Sequence, residues 1–183
     1  MEQIAAVAQS LSPYVIIKVI GDPIKTQYIS HWADKSAMPH VWVKRLNDSE
    51  PNRPVIVNIW DLPLTRDKSA SMIPQDAVDH FVIVYDLHYR ALFQSKKEFV
   101  SLDTLITDCT GPLTVIIHNN GSGKKIEIDL NLKLTLESLP RHVNVLYKSP
   151  AETTGLVREL SRDVYRSRVS KIDRKISELL LKL

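Results

Sequence analysis

Four short runs constrain this chain more than anything else in it: Tyr14-Val-Ile-Ile-Lys-Val-Ile20, Val55-Ile-Val-Asn-Ile-Trp60, Phe81-Val-Ile-Val-Tyr85 and Leu113-Thr-Val-Ile-Ile117. Each is rich in β-branched residues and nearly continuous in apolar ones. A strand with one wet face alternates apolar and polar positions, whereas a strand covered on both faces does not. The runs therefore predict buried strands of a parallel sheet. His40-Val-Trp-Val-Lys44 does alternate and suits a half-exposed or edge strand. Val143-Asn-Val-Leu-Tyr147 makes a sixth strand. Helix-like stretches lie between them, including residues 91–100, and the pattern is strongly helical from Gly155 onward. The alternation predicts an α/β fold with a mostly parallel six-stranded sheet flanked by helices. Residues 126–134 stand apart: strict alternation after the turn signal Asn120-Gly121 predicts a strand there, in a hairpin or local insertion.

The 183 residues suit a single domain with a sizeable core. We expect an N-terminal segment 1–13, a core 14–166 and a C-terminal helical extension 167–183. One cysteine, Cys109, excludes a disulfide framework and a cysteine-rich zinc site. No apolar run approaches ~18 residues, so no membrane-spanning helix is expected. The first residues lack the basic start and long apolar stretch of a secretory signal. Glu2 does not suit myristoylation, and no cysteine near the C-terminus suits prenylation. The expectation is a cytoplasmic protein without a lipid anchor. Glycine is scarce: 5 residues, where an average of ~7% would give roughly thirteen. That scarcity works against sites built from glycine-rich phosphate loops, which need φ > 0 and close backbone approach.

Several motifs occur in a telling order. Val19-Ile-Gly-Asp22 ends the first strand, and Ile59-Trp-Asp61 ends the second of the strong runs. Val84-Tyr-Asp-Leu87 is followed by Ala91-Leu-Phe93, then Ile117-His-Asn-Asn120 and Ser149-Pro-Ala151. In this order the chain resembles a small GTPase of the Ras superfamily, the Rab branch most closely, over residues 14–166. The resemblance implies a Ras-like fold with a phosphate loop after Gly21, a switch at Asp61, and base-reading motifs at Asn119 and Ser149.

The chemistry that the resemblance implies is degraded. A phosphate loop G-x-x-x-x-G-K-[ST] wraps phosphates with backbone N–H groups while its Lys and Ser/Thr reach phosphate and Mg²⁺. Here Gly21-Asp-Pro-Ile-Lys-Thr26 keeps Lys25 and Thr26, but Lys25 follows Gly21 by four positions instead of six. The second glycine is absent, and Pro23 removes a donor. In Asp61-Leu-Pro-Leu-Thr65, Leu64 replaces the glycine that serves the γ-phosphate, and Thr65 replaces the water-positioning Gln. No threonine between Gln27 and Leu64 is available to close on Mg²⁺. Asn119 survives, but Ser122 stands where an Asp would hold the guanine edge, and a hydroxyl cannot supply that charge-assisted acceptor. Asp61 and Asp86 then also read as strand-end residues capping local turns.

Other chemistry is not announced. Gly121-Ser-Gly-Lys-Lys125 reads as a solvated turn, since His118 stands where a phosphate loop needs its first glycine. The six histidines show no metal-ligand spacing, so no metal is expected. No hydrolase elbow is present. Trp60 is expected in the core; Trp42 suits either the core or a partner surface. Tyr165, Val169, Ile172, Ile176, Leu179 and Leu183 recur at heptad a/d spacing. A helix over 156–183 would be about 40 Å long at 1.5 Å per residue. Its first half should cover the sheet; its second half either docks another helix or folds back on its own domain. Residues 157–183 carry eight Lys/Arg against four acids, while the remainder has 16 basic and 17 acidic groups. The interrupting acids and lack of interleaved aromatics argue against nucleic acid.

These observations together predict a catalytically inactive, nucleotide-free, cofactor-free Rab-like pseudo-GTPase. Its implied role is a protein-interaction or scaffold subunit of a larger trafficking, ciliary, motor or chromosomal assembly. The partner surface would comprise Trp42, Leu62, Pro63 and Leu64, or the seam from Ile172 through Ile176 and Leu179 to Leu183. An atypical GTPase binding GDP or GTP through Lys25, Thr26 and Asn119 is the alternative. A structural protein whose likeness to GTPases is confined to its sheet is the third.

Overall fold

The computed structural model describes residues 14–47, 55–62, 77–92, 100–119, 127–140 and 143–180. Pro63, Leu64, Thr65, Ser122 and Leu183 lie outside them, as do the 121–125 turn and the 1–13 segment. The described elements are β1 (Tyr14–Gly21), α1 (Lys25–Trp32), β2 (Asp34–Lys35), β3 (Val41–Leu46), β4 (Val55–Asp61) and β5 (His80–Asp86). They continue with α2 (Leu87–Leu92), α3 (Leu102–Thr107), β6 (Leu113–His118), α4 (Leu130–Ser138), β7 (Asn144–Leu146), a 3₁₀ turn (Ala151–Thr153) and α5 (Leu156–Leu180). The protein is an α/β fold with a seven-stranded, mostly parallel sheet in the order β2-β3-β4-β1-β5-β6-β7. Strands β4, β1, β5, β6 and β7 run parallel, while β3 is antiparallel to both its neighbours.

The four β-branched runs form the centre of the sheet. Every residue of β6 is buried, and all of β5 except Tyr85. Strands β1 and β4 depart from the continuous-burial expectation: Val15, Ile17, Val19, Val57 and Ile59 are buried, and the residues between them only half so. The difference lies in what covers each face. One face of β1 and β4 meets α1 through Tyr28, Ile29 and Trp32, and α5 through Leu156, Val157, Leu160 and Val164. On the other face Ile16, Ile20 and Trp60 pack partly against the second core, built on β5, β6, α3 and Leu132. Each fully buried Val, Ile or Leu contributes about 1.5–3 kcal/mol, so these two clusters dominate stability.

Two expectations need correction. The sheet has seven strands among the described residues because β2 pairs outside β3, Lys35 opposite Trp42. Two exposed residues offer no periodicity from which to read a strand, so β3 looked like an edge. The 126–134 stretch is not a strand over its second half. Asp129 accepts the Leu132 N–H at 2.8 Å and starts α4. Its leucines alternate in sequence yet split over two helical faces, Leu132 buried and Leu136 half-buried, Leu130 and Leu134 exposed. Leucine is a strong helix former, which the period-2 reading ignored. Of the helix-like stretch 91–100, Ala91 and Leu92 lie in α2, Val100 precedes α3, and 93–99 lie outside the described residues. Ser101 caps α3 by accepting the Thr104 N–H.

The C-terminal helix is continuous from Leu156 to Leu180. Its first half is anchored to the sheet, where Arg168 makes a forked pair with Asp79 at 2.7 and 2.8 Å and donates to the Tyr14 carbonyl. Beyond it, Ile172 is half-buried and residues 173–178 are exposed. No helix among the described residues is long and apolar enough to cross a membrane.

Candidate functional site

The chain leaves β1 through α1 onto one face of the sheet and leaves β5 through α2 onto the other. The carboxyl ends of these adjacent strands form the topological switch point, where open α/β sheets hold ligands. Gly21, Asp22, Asp61, Asp86, Asn119 and Ser149 lie on strand ends or loops at this side of the sheet, and Lys25 and Thr26 open α1.

The turn after β1 is short and self-satisfied. Asp22 N–H donates to the Val84 carbonyl at 2.9 Å, Lys25 N–H to Asp22 O at 3.0 Å and Thr26 N–H to Pro23 O at 3.3 Å. Pro23 has no N–H to offer. The backbone donors at the start of α1, the usual anion cradle, are thus turned onto the loop's own carbonyls. Gly21 is held at φ +117°, and a Cβ there would fall 2.1 Å from the Val84 oxygen. Its glycine serves the close approach of β1 to β5.

The charged side chains pair with one another. Lys25 Nζ stands 2.6 Å from Asp61 Oδ1, and Thr26 Oγ1 donates to Asp61 Oδ2 at 2.9 Å. Both members of that ion pair are close to nine-tenths buried. Asp22, fully buried, is clasped by Arg90: Nε donates to Oδ2 at 2.7 Å and a terminal nitrogen to Oδ1 at 3.0 Å. The Asp86 N–H adds a third bond to Asp22 Oδ2. Arg90 also donates to the Val100 carbonyl and lies 3.9 Å from the centroid of the Tyr85 ring. Burial raises the Asp22 pKa above the ordinary carboxylate value, against the opposing pull of Arg90 and the Asp86 N–H. Asp86 itself accepts the His88 and Tyr89 N–H groups and caps α2.

A second cluster closes the ends of β6 and β7. The buried Tyr28 hydroxyl donates to the Lys148 carbonyl at 2.6 Å and lies 2.7 Å from His118 Nδ1. A phenol has one proton, so His118 must donate from Nδ1 to the Tyr28 oxygen. Burial lowers the His118 pKa, favouring this neutral ring, and raises that of Tyr28. The rings meet edge to face at 5.7 Å. Trp32 Nε1 donates to Thr153 Oγ1 at 2.9 Å and ties α1 to the turn that precedes α5. Ser149 is likewise occupied: its N–H and hydroxyl both donate to Glu152 Oε2, at 2.7 and 2.6 Å. Those two bonds lower the Glu152 pKa.

The remaining sequence candidates are dispersed. Asn119 follows β6 and is half-buried. Trp42 is half-buried against the first core, and Leu62 is 8% exposed, so Leu62 serves packing and offers little surface. Ile176 is 48% exposed, and Leu179 lies in the last turn of α5. No group of three or more His, Cys, Asp or Glu among the described residues is placed to hold a metal ion. Sequence reasoning missed Arg90, Tyr28 and His118. Arg90 lies 68 positions from Asp22 and Tyr28 90 positions from His118, and no local pattern connects such partners. No protein-family model matches the chain, and no curated protein matches it.

Proposed function

We propose that this protein is a catalytically inactive, nucleotide-free pseudo-GTPase of Rab-like type that serves as an interaction subunit of a larger assembly. One observation carries the reading: at the switch point, loop donors and the lysine that would hold phosphates are engaged by the protein's own acceptors. An incoming nucleotide would have to displace Asp61 from Lys25 and would bring its negative charge beside Asp22 and Asp86. The central β1, with parallel partners on both sides and one antiparallel strand beyond β4, supports the Ras-like reading of the fold. Asp61, Asp86 and Asn119 at consecutive strand ends support it further. Without a switching chemistry, the fold's use lies in its surfaces, and its role in trafficking, ciliary, motor or chromosomal machinery follows from the family resemblance alone.

Retained nucleotide separates this reading from that of an atypical GTPase. Purified protein is denatured, and the supernatant is run on an ion-exchange column. No guanine nucleotide is expected, and addition of GTP with Mg²⁺ should leave the melting temperature unchanged. Stoichiometric GDP or GTP would overturn the proposal.

A further inference from the structure

We infer that Ser177 is a phosphorylation site for a serine kinase that reads the basic pair Arg174-Lys175 ahead of it, and that the phosphate loosens the end of α5. The modification does not depend on the nucleotide reading above. Its use, the removal of an ordered docking seam, rests on the interaction reading.

Kinases that select basic substrates line their cleft with carboxylates, which pair with an arginine placed before the acceptor hydroxyl. Among the described residues, Ser161 and Ser177 are the only serines or threonines that follow an arginine by three positions, Arg158 and Arg174. Only Ser177 has a second basic residue, Lys175, in between. The fold separates the two further. Ser161 is 3% exposed, and its hydroxyl donates to the Val157 carbonyl at 2.6 Å within the anchored half of α5. Ser177, Arg174 and Lys175 are all exposed. A kinase cleft must also receive acceptor and basic side chains together, which requires the helix to open locally. The last bonds from α5 to another element, among the described residues, are those of Arg168. Positions 173–178 are exposed, so opening the final turns uncovers no core and belongs at the low end of local unfolding costs. Reaching Ser161 would instead lift Leu160 and Val164 out of the first core.

The step is transfer of the γ-phosphoryl group of ATP. The bond from the γ-phosphorus to the β–γ bridging oxygen breaks, a bond to Ser177 Oγ forms, the hydroxyl proton passes to the kinase's base, and ADP leaves. In the unmodified helix Ser177 Oγ donates to the Asp173 carbonyl at 2.9 Å. The esterified oxygen carries no proton, so that bond is lost. The phosphate brings a charge of about −1.5 to −2 to the last turn of a helix that ends at Leu180, where the free carbonyls are already negative. Asp173, four residues earlier, and the adjacent Glu178 add like charge. Arg174, at i−3, offsets part of this. As the end loosens, Ile172, Ile176 and Leu179 lose the helix that aligns them.

The test incubates full-length protein with ATP, Mg²⁺ and the catalytic subunit of cAMP-dependent protein kinase, and maps the modified residues by mass spectrometry. Near-stoichiometric modification is expected at Ser177, with Ser161 unmodified. Arg174→Ala with Lys175→Ala should slow the reaction at Ser177 by about tenfold or more, because the kinase's carboxylates lose their partners. After modification, hydrogen exchange of amides 174–180 should quicken by about threefold or more, and kinase-treated Ser177→Ala should show no such change. The inference is overturned if Ser177 stays unmodified, if Ser161 is modified in its place, or if the double variant reacts as fast as the native protein. Exchange that is unchanged or slower after modification overturns the loosening. None of these readouts depends on guanine nucleotide in the preparation, so their failure leaves the ion-exchange result above standing.

Discussion

At Gly21 the backbone takes φ +117°, and any β-carbon would meet the Val84 carbonyl oxygen at 2.1 Å. Both the dihedral and the clash are independent of a ligand, so the position requires glycine whatever the crevice holds. Gly21→Ala is expected to cost about 3 kcal/mol or more, because β1 and β5 must separate to admit a methyl group; urea denaturation measures it. Lys25 and Asp61 form a buried pair, and the two ways of disrupting it should differ in sign. Lys25→Ala strands a carboxylate in the interior and should destabilise by about 3–5 kcal/mol. Lys25→Met with Asp61→Leu removes both charges and should be neutral or stabilising by about 1–4 kcal/mol, since Thr26 is exposed and its hydroxyl regains water. At this scale the short spacing from Gly21 to Lys25 was legible in the sequence, and the turn it makes satisfies its own N–H groups. Nothing near Asp22 announced Arg90.

Among the elements, β5 and β6 meet in a buried polar contact at their starts, His80 Nε2 to Thr114 Oγ1 at 3.0 Å. Burial pushes His80 down to about 4, against the charges of Asp163 and Asp79. Above its ordinary value of 6.5 the ring is neutral whether the chain is folded or not. As pH falls from 6.5 towards 4, the unfolded chain gains a proton that the folded one refuses, so stability declines, by about 3 kcal/mol in all. Carboxylates also titrate there, so the measurement is the difference between native protein and His80→Phe in urea midpoints from pH 7 to 4; the variant should lose less. The elements show where sequence patterns suffice. Continuous β-branched runs located the central strands because such residues favour strands, although the continuous burial they also predict holds for β5 and β6 and not for β1 and β4. The same rule failed for α4, whose leucines at every second position mimic a strand, while the decisive residue was the cap Asp129. It failed again for β2, whose two-residue pairing is a contact made by tertiary structure.

Across the whole molecule, the architecture followed from the spacing of strands and helices, whereas the state of the crevice did not. The order of strands is set by which apolar runs occur and how long the connections are. The crevice depends on contacts such as that of Tyr28 with the Lys148 carbonyl, 120 positions apart. These contacts join residues far apart in the chain. A bound nucleotide leaves at a rate set by its affinity and is altered by hydrolysis, so it works as a timer. Arg90 cannot diffuse away from Asp22, and neither Lys25 nor Asp61 is consumed. On the proposed nucleotide-free reading, a crevice closed in this way keeps no clock. Whatever binds this protein is then governed by its own abundance or by covalent change, and its lifetime on the surface is the partner's to set.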